Sequence, residues 1–260
     1  MMMLPKSLIV YASFVNSSCC YYSYQSMAKS VISRSASTAS SSTSTSTSTT
    51  TKAIHEAENC KPRILCLHGK FQSAAIFSNK IAGARRKLER EYDLHFIDGP
   101  IQLDEDNEDA RAWWLRLEDG THTMVQEAFE YIVDQTKNHK YDAIIGFSQG
   151  GTLATALAIS GVLPEVKAVV TAGAPHIREA FEVASKLATS QPNDGRDIPK
   201  LHLAGETDAM VSLDWTKQLV LEGGNGKLIQ HEQGHLFPTR SARVKEMLDF
   251  LGTHLAKSIY

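Results

Sequence analysis

Between Lys61 and Leu255 the sequence alternates short apolar runs with longer stretches whose apolar residues recur at helical spacing, and this alternation narrows the possible folds more than any other feature. "PRILCLHG" reads as a buried strand stopped by a His-Gly turn. An amphipathic stretch from about Ser73 to Arg90 follows, with Ile76, Phe77, Ile81 and Leu88 on its inner side. "YDLHFIDGP" is a second strand, and a helix is predicted near Thr123 to Lys137. The apolar run Ala143 to Ile145, "VKAVVTAGAP", "IPKLHLAGETD" and "GKLIQHEQGH" read as further strands, with helices at "GGTLATALAIS" (150–160), Ser212–Leu221 and Arg243–Leu255. Alternating strands and helices of this kind predict an α/β fold, a mainly parallel sheet with helices on both faces. In such sheets a site forms at the C-terminal ends of the strands.

One strand end stands out. "DAIIGFSQGG" places Ser148 between Gly146 and Gly150, where an apolar run gives way to the helix-like "GGTLATALAIS". A G-x-S-x-G turn between strand and helix needs small neighbours because the two elements approach closely while the hydroxyl is pushed outward. Ser148 is therefore the candidate nucleophile. A serine hydroxyl reacts only when a histidine removes its proton and a carboxylate orients that histidine, and in this architecture the partners follow in the order Ser, Asp, His.

Asp208, just beyond Gly205 in "LHLAGETD", is the expected carboxylate, with Glu206 as its near competitor; Asp214 reads as a first-turn helix residue. For the base, His231 lies on a strand pattern, whereas His235 sits on a loop between Gly234 and Pro238 and is preferred. Asp98 also ends a strand, but it precedes the serine and reads as a turn or pocket residue. Two backbone N–H donors are needed for a developing oxyanion: Gln149, directly after the serine, and Lys70 or Phe71 in the early loop "LHGKFQS". His68 is expected to hold that loop by hydrogen bonding, with the Lys70 side chain in solvent.

The segment "LDEDNEDARAWWLRLEDG" lacks the glycine and terminal glutamate of a calcium loop, so its acidic residues are expected to be solvated. At least one of Trp113 and Trp114 is expected in the core. Together with Phe147 they are candidates for an apolar substrate pocket.

Residues 1–59 have a different composition. No Asp or Glu occurs before Glu56, Ser and Thr dominate, and "STASSSTSTSTSTTT" is of low complexity. Such a stretch cannot bury enough apolar surface to offset its ordering entropy, so it is expected to be a disordered tail; the same composition fits an organelle transit peptide. The compartment is thus cytoplasmic or organellar, depending on the tail. Residues 60–260 form the expected single domain. At a net charge of −2, with no block of lysines, the chain has no field for nucleic acid or an anionic membrane. No run of eighteen apolar residues offers a spanning helix. The cysteines show no zinc spacing, and free thiols are expected. No metal and no cofactor are called for, and the expected partner is a small-molecule ester; the oligomeric state is left open.

Taken together, "LCLHGKFQSAAIFSNKIAGARRKL", "FIDGP", "RAWW", "YDAIIGFSQGG", "AGETDAMV" and "HEQGHLFP", in this order, resemble the family serine hydrolases, or FSH family, of the α/β-hydrolase fold. The resemblance extends over about Lys61 to Leu255. It implies that Ser148, Asp208 and His235 form the triad of a carboxylesterase acting on esters, often with apolar acyl or alkyl chains. One departure is Lys70, where the family ordinarily has a large aromatic or apolar residue; a cation there would favour substrates with an acidic tail. "GFSQGG" also resembles acyl-protein thioesterases, although "RAWW" and "HGKFQ" count against that alternative. A hydrolase-fold module that binds a ligand without turnover is the alternative from another class.

Overall fold

The computed structural model describes residues 61–188 and 195–256; the expectation for the N-terminal tail lies outside them. The elements run β1 (Arg63–Leu67), α1 (Ala74–Lys80), α2 (Ala82–Leu88), β2 (Asp93–Ile97), β3 (Ile101–Gln102), β4 (Arg111–Ala112), β5 (Leu115–Arg116), β6 (His122–Thr123) and α3 (Val125–Thr136). The second half comprises β7 (Ala143–Phe147), α4 (Gln149–Ser160), β8 (Ala168–Ala172), α5 (Arg178–Ala188), β9 (Lys200–Gly205), α6 (Leu213–Gly223), β10 (Gly226–His231) and α7 (Ser241–Leu255). A six-stranded sheet has the order β10-β9-β8-β7-β1-β2, and every neighbouring pair is parallel.

The two-residue period of the strands divides the core between the two faces of this sheet. Ile64 and Cys66 of β1, with Ile145, Val170 and Leu203, pack against Phe77, Leu88, Met247 and Leu251 from α1, α2 and α7. Leu65 and Leu67, with Ile144 and Val169, pack against α3, α4 and α5. Helix α4 is buried all round, which accounts for its small and apolar sequence: it is covered by the sheet on one side and by other helices on the other. Cys66 is a free thiol in this core, and burial pushes its pKa far up, leaving it unreactive.

Two details differ from the sequence pattern. The stretch expected as one helix from Ser73 to Arg90 is two, joined at Ile81, whose ψ of 16° leaves the helical region. The sequence pattern did not mark α5 or the hairpins β3–β4 and β5–β6. The strand order reverses around β1 and β7. Ser148 follows β7, the His68 loop follows β1, Asp208 follows β9 and His235 follows β10, so the candidate residues all issue from C-terminal strand ends.

Candidate active site

Ser148 lies between β7 and α4 with φ 51° and ψ −120°, a conformation that costs a non-glycine residue about 1–3 kcal/mol. Its N–H donates to Ala172 O at 2.9 Å and its carbonyl accepts from Gly151 N at 2.9 Å, so both sides of the bend are tied. A Cβ on Gly146 would come within 2.3 Å of Gly150 O, and one on Gly150 within 2.4 Å of Leu67 O. The two flanking glycines are thus a steric requirement of the bend.

His235 Nε2 lies 3.0 Å from Ser148 Oγ, and its Nδ1 lies 2.7 Å from Asp208 Oδ2. An ionised carboxylate can only accept, so Nδ1–H donates to Asp208 and Nε2 is left as acceptor for the serine hydroxyl. Asp208 is held in turn: its Oδ1 accepts from Met210 N at 2.9 Å and from Val211 N at 2.8 Å, and its side chain is only 2% exposed. Gly173, at φ 55°, has its Cβ direction occupied by His235 Nδ1 at 3.1 Å, so a side chain there would displace the imidazole.

The competing residues are placed elsewhere. Glu206 is exposed, and Asp214 stands in the first turn of α6. His231 closes β10 in the sheet, buried, with Nδ1 accepting from Gln233 N and Nε2 without a partner; burial lowers its pKa. Asp98 accepts from Ala74 N at the start of α1. His68 is buried, with Nδ1 at 2.8 Å from Gly69 O and Nε2 accepting from Gly99 N at 2.8 Å. Burial lowers its pKa, in keeping with a neutral ring that donates from one nitrogen and accepts at the other.

Of the two early-loop N–H groups, that of Phe71 is already engaged, donating to Arg111 O at 2.8 Å, and the Phe71 side chain is turned to solvent at φ 61°. This corrects the choice left open in the sequence. The Lys70 N–H, like that of Gln149, donates to no other described residue, which leaves both available to a ligand.

A cleft of about 560 Å³ opens on Ser148 and His235. Trp114 lines it. Trp113 does not, which corrects its assignment to the pocket: it is fully buried, with Nε1 donating to His68 O at 2.8 Å and its ring 4.9 Å from that of His68. Phe147 is also displaced from the cleft; it packs 5.0 Å from the His235 ring and lines a separate groove with Phe77 and Phe237. The cleft walls instead include Pro175, Ile177, Met210, Val211 and Trp215. These come from the entries to α5 and α6, loops whose spatial neighbours no local pattern announces.

The acidic stretch from Asp104 to Asp109 is an exposed loop whose side chains cap their own turns. Among the described residues no helix is long and apolar enough to cross a membrane.

This sheet, with a serine at a strained strand-to-helix turn, is that of an α/β-hydrolase. The chain belongs to the serine hydrolase (FSH1) family, whose model matches residues 57–247, and it is accordingly a hydrolytic enzyme. It is 29% identical to an uncharacterized hydrolase, C22A12.06c, of Schizosaccharomyces pombe, over 74% of this chain and 51% of that protein, so it spans about half the length of that relative. It is 25% identical to esterase C25G4.2 of Caenorhabditis elegans, over 76% of this chain and 96% of that protein. In fold it is similar to Arabidopsis thaliana SOBER1, with a TM-score of 0.56 at 18% identity, over 75% of this chain and 100% of that one.

Proposed function

We propose that this hydrolase is a serine carboxylesterase that cleaves small-molecule esters with apolar acyl or alkyl chains through an acyl-enzyme. The observation that carries this reading is the continuous line from Asp208 Oδ2 through His235 to Ser148 Oγ at the mouth of the cleft. Relatives named as esterases agree with it.

In this reading, Ser148 Oγ bonds to the ester carbonyl carbon while its proton passes to His235 Nε2. The carbonyl electron pair moves onto oxygen, where the N–H groups of Gln149 and Lys70 donate to the oxyanion. The imidazolium is held by Asp208, which keeps the ring oriented without taking its proton. Collapse of the tetrahedral species breaks the bond to the alcohol, which leaves with the proton from Nε2. Water then repeats the cycle on the acyl-serine, losing a proton to His235 and releasing the acid.

A fluorophosphonate probe should label the wild-type chain and fail to label Ser148→Ala, with hydrolysis of 4-nitrophenyl esters lost in parallel. Equal labelling of both would overturn the assignment.

A further inference from the structure

The charges around the cleft are unevenly compensated. On one wall Arg178 lies 3.8 Å from Glu179 and 3.6 Å from Glu182, while Glu179 also faces His122 at 3.3 Å. His176 lies 2.5 Å from Glu222. Asp119, the remaining carboxylate, accepts from both Thr121 N and Thr121 Oγ1 within its own turn.

Among the described residues, two of the cations lining the cleft stand outside any ion pair, as does Asp119. Neither Lys70 Nζ nor the Arg116 guanidinium has a carboxylate within 4.0 Å among the described residues; Lys70 lies 5.0 Å from the centre of the Phe71 ring. Both line the cleft that opens on Ser148, Lys70 from the loop after β1 and Arg116 from β5. The same cleft has apolar walls from Trp114, Pro175, Ile177, Met210, Val211 and Trp215, and low polarizability near a charge strengthens its hold on a counter-ion. Cations outside any ion pair on the walls of a partly apolar cleft recognise a substrate that brings its own negative charge.

We infer that the substrate of this esterase carries an anionic group, a carboxylate or a phosphate-type acid, separated from the ester by an apolar chain and held between Lys70 and Arg116. The inference rests on the Ser148 reading and goes beyond it by assigning the substrate class. Arg116 is the specificity-determining residue with no proposed part in the chemistry, so it is the one to change.

The test uses the full-length chain and two esters that differ only at the far end, a free carboxylate against its methyl ester: mono-4-nitrophenyl suberate against 4-nitrophenyl methyl suberate. At low salt kcat/KM should favour the acid by about tenfold. That ratio should fall several-fold in Arg116→Gln, and also in wild type at 0.5 M NaCl, where screening shortens the reach of the charges. The analogue ending in a phosphonate separates the sources: faster turnover than the carboxylate assigns a dianion, slower turnover a carboxylate. Preference for the methyl ester, or a ratio insensitive to Arg116→Gln, would overturn the inference. Binding of methyl hydrogen suberate and dimethyl suberate to Ser148→Ala reads the same preference without turnover. An inert wild type therefore counts against the Ser148 reading, whereas equal binding of the two counts against this one.

Discussion

Gln149 Oε1 accepts the backbone N–H of Trp113 at 2.9 Å, and the same side chain donates through Nε2 to Trp114 O at 2.9 Å. The residue whose main chain faces the proposed oxyanion therefore pins, with its side chain, the loop that carries one wall of the cleft. Both backbone groups it serves are buried. In Gln149→Leu they lose their partners, each at a cost of about 1–3 kcal/mol. The expected result is a clearly lower urea midpoint together with a fall in kcat. Gln149→Glu should lower stability as well, because a carboxylate can accept from Trp113 but cannot donate to Trp114. Midpoints equal to wild type in both variants would show that the clamp is not needed.

The bend at Ser148 makes a different kind of prediction. Alanine removes the hydroxyl and keeps the strained φ of 51°, whereas glycine removes both. Ser148→Gly should be inactive yet more stable than Ser148→Ala by about 1 kcal/mol, part of the relief being offset by the freer unfolded chain. Thermal unfolding of the two inactive variants side by side measures this directly.

Most of the fold is legible because the central strands β1, β7, β8 and β9 are buried on both faces and so read as short, mainly apolar runs. Ser148, Asp208 and His235 each follow a strand end, and the loop position of His235 against the strand position of His231 distinguishes the two histidines by sequence alone. The short hairpins carry only two residues per strand, too few to show a period. Helix α5 was readable in principle from Ala180, Phe181 and Ala184, which are buried at helical spacing. The roles of the two tryptophans were not, since Trp113 and Trp114 are neighbours with the same chemistry. What separates them is the hydrogen bond from Trp113 Nε1 to His68 O, with a partner 45 residues away in sequence.

His202 is expected to contribute to acid sensitivity. It is buried in β9 with Nδ1 at 2.8 Å from Thr171 Oγ1 and Nε2 without a partner, and burial, aided by the Lys200 charge, lowers its pKa to about 3. The folded-state value lies below the unfolded value of about 6.5, so the unfolded chain binds the extra proton between them. Stability is therefore present in full above pH 6.5 and falls as pH drops through the window towards 3. The loss from this group is about 1.4 kcal/mol per pH unit once well inside the window. His202→Gln, which can still bond Thr171, should flatten the decline in urea midpoint between pH 6.5 and 4.5. An unchanged slope would place the acid sensitivity in other buried groups, His68 and His231 being the next to examine.

The last expectation concerns the chain that links ester and anion. Trp114, Val211, Met210 and Trp215 give the cleft apolar walls, and Trp215 and Met210 are 46% and 71% exposed. Apolar surface left in water at a cleft is recovered when a chain covers it, at about 0.8 kcal/mol per fully buried methylene. Only burial completed in the transition state raises kcat/KM, and an open cleft completes part of it. Even a quarter of that value over the six carbons separating 4-nitrophenyl octanoate from the acetate gives roughly tenfold. The octanoate should therefore be the better substrate when both are assayed below the micelle-forming concentration. Trp215→Ala should reduce the octanoate-to-acetate ratio several-fold, because acetate is too short to reach α6 whereas the longer chain lies against the indole. A ratio that Trp215→Ala leaves unchanged would send the chain along another wall. The groove lined by Phe77, Phe147, Phe237 and His235 would then be its path, with Phe237→Ala in place of Trp215→Ala collapsing the ratio.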